Sequence, residues 1–368
     1  VFPIIKFAKR LVYLILFLNK GVNYLMILCF TYAIRLSYFP KIKLEVTIYI
    51  DNIELSSPVI LAPMSGVTDL PYRKLVKHFG AGLVVSEMIA SRAMIVQSHQ
   101  SMKKSAILHD DATGACVQLA GCEPKVIADS ARMNEDMGAK IIDLNFGCPA
   151  KKVVGGYSGS ALMKDEKLAA EILYSTVKAV KIPVTLKMRT GWDDNTKNAP
   201  IIAKIAEDAG IKMVTVHGRT RCQFYSGKAD WEFISYVKKS IKIPVVANGD
   251  IVCFDSAKEA LNKSGADGIM IGRGAYGKPW LISQVAHFLK TGKKLPDPPL
   301  KEQLVIVLNH YDDMINYYGM DAGVKLARKH LGWYSSGLPN SSEFRAFINR
   351  TVNADVVKEK IQEFYSSI

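Results

Sequence analysis

One thiol, Cys148, stands between Gly147 and Pro149, directly after the apolar run Ile141-Ile142-Asp143-Leu144 and Asn145-Phe146. Most cysteines are small core residues. A thiol presented by a Gly and Pro turn at the C-terminal tip of a strand, where function concentrates in parallel barrels, is instead a candidate chemical group. Other apolar runs end in polar or glycine-rich tips as well. Asn145 precedes the thiol, and Lys187 and Arg189 close Pro183-Val184-Thr185-Leu186-Lys187-Met188-Arg189. His217-Gly218-Arg219-Thr220-Arg221, Asn248-Gly249-Asp250 and Gly272-Arg273-Gly274 close three more.

Glycine-rich turns after two successive late strands provide backbone N–H groups for a phosphate. Arg273 adds a charge-assisted fork for the same anion. The bland reading is a pair of tight turns with a surface arginine. A lysine at the end of an apolar strand is costly inside a barrel mouth unless an anion or an electron-rich ring faces it. The N1–C2=O edge of a flavin gains negative charge on reduction and is one such partner; a snorkelling surface lysine is the alternative. His217 has donors and acceptors for a phosphate or a ring atom, and Arg219 and Arg221 beside it make an anion-facing mouth.

These tips need a frame. Eight short β-rich runs recur: 59–62, 83–86, 115–119, 141–144, 184–187, 213–216, 245–247 and 268–271. Helix-like segments such as 165–180 and 199–209 separate them. Alternation of this kind predicts a parallel sheet, and eight units predict a closed (β/α)8 TIM barrel of the α/β class over residues 44–295. Pro296-Asp297-Pro298-Pro299 then reads as a stiff linker. Beyond it, segments 300–318, 321–335, 342–350 and 353–365 read as helices, so residues 300–368 form a small helical bundle domain.

The chain has 368 residues, an ordinary globular hydrophobic fraction of 49%, and a net charge of +14. That excess favours an acidic partner such as nucleic acid or a membrane surface. Residues 1–43 hold Lys6, Lys9, Arg10, Lys20, Arg35, Lys41 and Lys43 and no acid, so the remainder is still basic. Polar residues Asn19, Lys20 and Asn23 interrupt the apolar stretches of this leader, and neither stretch reaches the ~20 residues of a span. Membrane anchor, targeting segment and upstream translation from a misassigned start compete; the last is favoured, because the folded pattern begins near Leu44. The six cysteines form no C-x-x-C pair or His/Cys cluster, so no metal site is expected. Their scatter suits reduced thiols in a cytoplasm.

Taken together these blocks resemble the tRNA-dihydrouridine synthases. The blocks are Ala62-Pro63-Met64 with Val67-Thr68-Asp69, the cysteine block 143–153, Gly159-Ser160-Ala161-Leu162-Met163, 187–192, 217–221, 248–251 and Gly272-Arg273. The likeness runs from about Leu44 to the C-terminus. The segment 328–334 and Phe344-Arg345 are most similar to the bacterial B-type branch. There are departures: Ser65 stands where alanine is common, and Gly274-Ala275-Tyr276-Gly277-Lys278-Pro279-Trp280 and Gly155-Gly156-Tyr157-Ser158 vary the family pattern.

The resemblance implies an FMN enzyme that reduces uridine to 5,6-dihydrouridine in the tRNA D-loop with NADPH. No convincing dinucleotide fingerprint ranks NADPH against NADH. It implies that Pro63, Met64, Ser65, Gln118, Lys187, His217, Asn248, Gly249, Asp250, Gly272 and Arg273 hold FMN, and that Asn145 and Arg189 contact the uracil or its nucleotide. Cys148 would be the general acid at uracil C5, since an ordinary thiol is mostly protonated at neutral pH. Arg219, Arg221 and the tail residues Lys325, Arg328 and Lys329, which share a helix face by i, i+3, i+4 spacing, are expected to meet tRNA. A solvated basic face is the bland alternative for those three. A cytoplasmic monomer with no stable membrane partner is expected. Two rivals remain at this point: an FMN barrel acting on a small molecule, and an RNA-binding protein with a vestigial flavin site.

Overall fold

The computed structural model describes residues 47–109 and 112–368, and the basic leader lies outside them. The described part opens with a hairpin of β1 (Tyr49–Ile50) and β2 (Ile53–Glu54), turned at Asp51 with φ of 58°. The sequence reading did not anticipate it. Nine strands follow: β3 (Val59–Leu61), β4 (Leu83–Val84), β5 (Ile89–Ala90), β6 (Cys116–Ala120), β7 (Ile141–Phe146), β8 (Val184–Arg189), β9 (Met213–His217), β10 (Val245–Asn248) and β11 (Gly268–Ile271). They pair in the order β4-β3-β11-β10-β9-β8-β7-β6-β5, every pair parallel. The two ends of that order are successive pieces of one stretch of chain, and a parallel bridge from Val85 to Cys116 spans the break. The sheet therefore closes into a TIM barrel whose second strand is kinked between Val84 and Ile89. All eight expected runs are strands of it.

Helices α1 (Leu70–His78), α2 (Ser91–Ile95), α3 (His99–Ser105), α4 (Pro124–Asp136), α5 (Lys151–Val154), α6 (Glu166–Ala179), α7 (Ala199–Ala209), α8 (Trp231–Ser240), α9 (Phe254–Ser264) and α10 (Leu281–Thr291) lie between and after the strands. Local rules place their ends. In α6 the Asp165 carboxylate accepts the Leu168 N–H at 2.9 Å as N-cap, and Ala169, Ile172, Leu173 and Thr176 form the buried stripe. Helix α7 starts with Pro200 in its first turn and stops at Gly210, whose φ of 98° suits glycine.

Period-two alternation sorts the strand residues between two cores. Ile142, Leu144 and Phe146 of β7 and Val184, Leu186 and Met188 of β8 face outward into the layer between barrel and helices. Ile141, Cys116, Met213, Val246 and Met270 point inward and join Ile48 and Ile50 at the bottom of the barrel. Two residues further along β6, β7, β9 and β10 the inward positions become polar, at Gln118, Asp143, Thr215 and Asn248, and Thr185 of β8 joins them, all buried. An apolar plug thus seals the lower barrel and a polar funnel opens at the C-terminal end.

The tail is α11 (Leu300–Tyr318), α12 (Met320–Tyr334), α13 (Ser341–Arg350) and α14 (Ala354–Ser366), each within a residue or two of expectation. It has its own core, in which Val307, Met314, Leu331, Phe344, Ile348 and Ile361 are buried. The proline linker is pinned: Trp280 Nε1 donates to Asp297 Oδ1 at 3.1 Å and Lys278 Nζ pairs with Asp297 Oδ2 at 2.8 Å. Tyr72 of α1 packs on His310 and His330 of the tail, with ring centroids 5.5 and 5.2 Å apart. Its hydroxyl donates to Ala275 O at 2.7 Å. No helix among the described residues is long and apolar enough to cross a membrane.

Candidate active site

Strand register decides which tip residues meet. Gln118, Asp143 and Thr185 are opposite one another across β6, β7 and β8. Asn145, Lys187 and Thr215 form the next layer, and Arg189, His217 and Asn248 the one above. These layers floor a cavity of about 560 Å³, within the size range of small-ligand sites.

A buried relay orients the thiol. Thr185 Oγ1 donates to Asp143 Oδ1 at 2.6 Å, and Gln118 Nε2 donates to Asp143 Oδ2 at 2.7 Å. Asn145 Nδ2 donates to Gln118 Oε1 at 2.7 Å. Asn145 Oδ1 then accepts the backbone N–H of Gly147 at 3.1 Å and of Cys148 at 2.9 Å. Each amide is thereby fixed in one orientation. Burial pushes the Asp143 carboxyl above its ordinary range, opposed by the Thr185 and Gln118 bonds and by Lys187. From the other side the Ser160 N–H and hydroxyl donate to Cys148 O at 3.1 and 2.9 Å. Gly159 allows this approach: its φ is 63°, and a Cβ there would sit 2.7 Å from Cys148 O. Cys148 itself is half-buried and lines the cavity.

The Lys187 side chain reaches into the same cavity, and its ammonium makes no hydrogen bond or ion pair with the described residues. Burial, helped by Arg189, lowers it to about 8 against the pull of Asp143 and Cys148. His217 is held far below its usual value by burial and by four cations, Lys187, Arg189, Arg219 and Arg273, and is neutral. Its Nε2 lies 3.4 Å from Arg219 Nη1. Arginine only donates, so Nε2 accepts and the ring proton sits on Nδ1.

The other end of the cavity is built for an anion. Pro63, Met64 and Ser65 after β3, Asn248, Gly249 and Asp250 after β10, and Gly272 and Arg273 after β11 all line it. Gly249 has φ of 113° and would collide with His217 at 2.8 Å if it carried a Cβ. Asn248 Nδ2 donates to Met270 O at 2.7 Å, tying the two turns. Asp250 sits at φ of 55°. Burial alone would raise its carboxyl, but Arg219, the Ala229 N–H and Arg273 outweigh burial and hold it below the ordinary range. Arg273 stacks over Tyr225 at 4.6 Å with half its side chain exposed.

The tips expected to hold a cofactor thus converge on one cavity, together with Asn145, Cys148 and Arg189. The basic residues assigned to RNA divide differently. Arg189 is 1% exposed; its Nε donates to Gly147 O at 2.8 Å and its Nη1 to Thr220 O at 2.7 Å and Phe224 O at 2.9 Å. It braces the cysteine turn as well as lining the cavity. Arg219 is 2% exposed, lies outside the cavity lining, and forks onto Asp250 at 2.8 and 2.7 Å, with Ser226 O and Gly227 O taking further donors. Its donors are committed to the protein. Arg221 is sandwiched by Trp192 at 4.6 Å and Phe224 at 4.9 Å.

The three tail cations part company. Lys325 is exposed. Arg328 is half-buried and Nη2 donates to Thr351 O at 3.1 Å. Lys329 Nζ donates to Gly66 O in the loop after β3, so of the three expected to share a face only Lys325 is exposed, and the other two reach protein carbonyls. Asp143, Thr185 and Glu87, with no role in the sequence reading, are parts of the scaffold; an acid inside the apolar run of β7 was the available signal for the first.

A closed parallel barrel with a thiol, a lysine and paired glycine turns converging at its C-terminal mouth defines a TIM-barrel enzyme. The family model described as dihydrouridine synthase matches residues 60–368. A probable tRNA-dihydrouridine synthase of Rickettsia conorii is 73% identical over 321 residues, covering 87% of this chain and 97% of that one. The tRNA-dihydrouridine synthase B of Pseudomonas aeruginosa is 45% identical over 313 residues, covering 85% and 94%. Among solved structures, an amine oxidase of Pseudomonas geniculata superposes with a TM-score of 0.51 at 12% identity, over 67% of this chain and 50% of that one, a likeness of fold. The chain belongs to the dihydrouridine synthase family.

Proposed function

We propose that this chain reduces uridine to 5,6-dihydrouridine in the D-loop of tRNA, with FMN as bound cofactor and NADPH, or NADH, as reductant. The observation that carries the reading is the convergence of Cys148, Lys187 and the Asn248–Asp250 and Gly272–Arg273 turns on one cavity. The family membership and the names of the relatives support the substrate.

The donor set fits FMN. The two glycine turns and Arg273 suit its phosphate. Lys187, half-buried and with no partner for its ammonium among the described residues, suits the pyrimidine edge of the ring, and Pro63, Met64 and Ser65 offer a wall. Bound there, FMN would carry the reducing equivalents of the dinucleotide to uracil C6 as a hydride. Cys148 then gives its proton to C5, and the thiol is restored from solvent. Asn145 and Arg189 fix the turn that carries the thiol, and Asn145 borders the space for the base. Neutral His217 has its Nδ1–H to donate.

The target base has to leave the folded elbow to enter the barrel mouth. Residues 44–295 perform the chemistry in this reading, and residues 300–368 with exposed cations such as Lys325, together with Arg221 near the mouth, grip the RNA backbone. The protein works as a monomer in the cytoplasm, where its substrate is.

The test is a spectrum and an assay. Purified protein should be yellow and form dihydrouridine in unmodified tRNA with NADPH. Cys148→Ala should keep its flavin and lose about 10²–10⁴-fold in product formation. A yellow protein that oxidises NADPH and leaves tRNA unchanged would point to a small-molecule reductase.

A further inference from the structure

The loop after β3 supplies Met64 and Ser65 to the cavity, and its next residue is held from outside. Gly66 adopts φ of 73°. Its N–H donates to Glu87 Oε1 at 2.5 Å, and its carbonyl accepts Lys329 Nζ from α12 of the tail. Behind Gly66 the loop is tightly closed: Val67 and Thr68 N–H donate to Met64 O at 2.9 and 3.0 Å, and Met64 N–H donates to Thr68 Oγ1 at 2.9 Å. A displacement of Gly66 is therefore passed to Met64.

Glu87 is 6% exposed and has Lys104 at 3.9 Å. Asp69, also 6% exposed, accepts the Tyr318 hydroxyl at 3.1 Å from the end of α11. Lys329 thus brings a positive charge to a place with two buried carboxylates. The same helix touches the neighbouring loop. Trp333 stacks on Tyr276 with centroids 4.0 Å apart and planes at 12°, and Tyr276 lines the cavity. Gly277 leaves no room for a Cβ, which would lie 2.3 Å from Trp333 O. Since β3 and β11 are paired, α12 braces two adjacent walls of one site.

We propose that Lys329 is a positioning residue for the cofactor: with Glu87 it clamps Gly66, so that the helical tail sets the shape of the flavin pocket. This rests on the FMN reading above. It reassigns Lys329 from RNA contact to pocket brace.

The experiment compares Lys329→Met, Lys329→Arg and Lys325→Met in the full chain. FMN affinity and the flavin absorption band are read, alongside the salt dependence of tRNA binding. Lys329→Met should weaken FMN about tenfold and shift the band, Lys329→Arg should restore most of both, and neither should change the salt slope. Lys325→Met should do the reverse, weakening tRNA and lowering the slope by about one with FMN affinity intact. FMN affinity of Lys329→Met within about twofold of wild type, or a salt slope lowered by about one in that variant, overturns the proposal. If Lys329→Met does not fold, Glu87→Gln weakens the other half of the clamp, and unchanged FMN affinity in that folded variant also overturns it. A wild-type protein with no affinity for FMN would overturn the cofactor reading itself.

Discussion

The side-chain oxygen of Asn145 lies 2.9 Å from the amide nitrogen of Cys148 and accepts its hydrogen. Through that bond the buried chain Thr185–Asp143–Gln118–Asn145, spread over three strands, fixes the turn that presents the thiol.

Asn145→Ala removes the acceptor of two N–H groups and the donor to Gln118. Leaving such groups unpaired costs about 1–3 kcal/mol of stability. Freed from its anchor, the thiol is misplaced, and kcat/KM for dihydrouridine formation should fall by about 10²-fold. Urea unfolding and a product assay read the two effects separately.

Arg219 forks onto Asp250 and is expected to act through the fold. Breaking its buried fork with Asp250 by Arg219→Leu should destabilise the protein by about 3 kcal/mol, seen as a lower urea midpoint with an unchanged slope. A residue gripping RNA at the rim would leave the midpoint where it is and reduce the salt slope of tRNA binding instead.

In the FMN reading, Lys187 gives the cofactor site a pH dependence. Burial, helped by Arg189, holds it at about 8, so it is charged below that pH and neutral above it. FMN, as an anion, prefers the charged form. FMN affinity should fall several-fold from about pH 7 to about pH 9, while Lys187→Met should bind more weakly with a flatter profile over that range. Flavin fluorescence titrations at the two pH values decide it.

His310 and His330 give the barrel–tail junction an acid limit. Burial, with Lys329 nearby, holds His310 down at about 3, and burial, His310 and Lys329 hold His330 well below its ordinary value. The unfolded chain binds these protons near pH 6.5 and the folded chain does not, so stability is full above about 6.5 and declines as pH falls. The slope is about 1.4 kcal/mol per pH unit for each histidine. Buried His217 acts in the same direction. Asp69, raised to about 6 chiefly by burial, takes up a proton more readily when folded and offsets one group between about 4 and 6. His330→Leu should flatten the decline, measured as Tm against pH.

Much of this was legible in the chain. Short β-rich runs set between helical stretches marked all eight barrel strands, and the helical segments beyond the proline linker marked the four tail helices, because those signals are local. The tips of those strands carried the candidate chemistry, and a lysine ending an apolar run is costly enough to be conspicuous. The hairpin of β1 and β2 was missed because two-residue strands carry too little pattern.

What the sequence determined by itself is the set of elements, their parallel order and the residue types at the barrel mouth, since burial patterns and turn chemistry act over a few residues. Tertiary structure decided which of those residues face one another. The register that sets Asp143 beside Thr185 and Asn145 beside Lys187 comes from closing the sheet. The fates of Arg219 and Lys329 come from partners 31 and 263 positions away in the chain. Side-chain spacing on one helix cannot tell a cation that faces solvent from one that reaches into a neighbouring domain, because that difference is made by what packs against the helix.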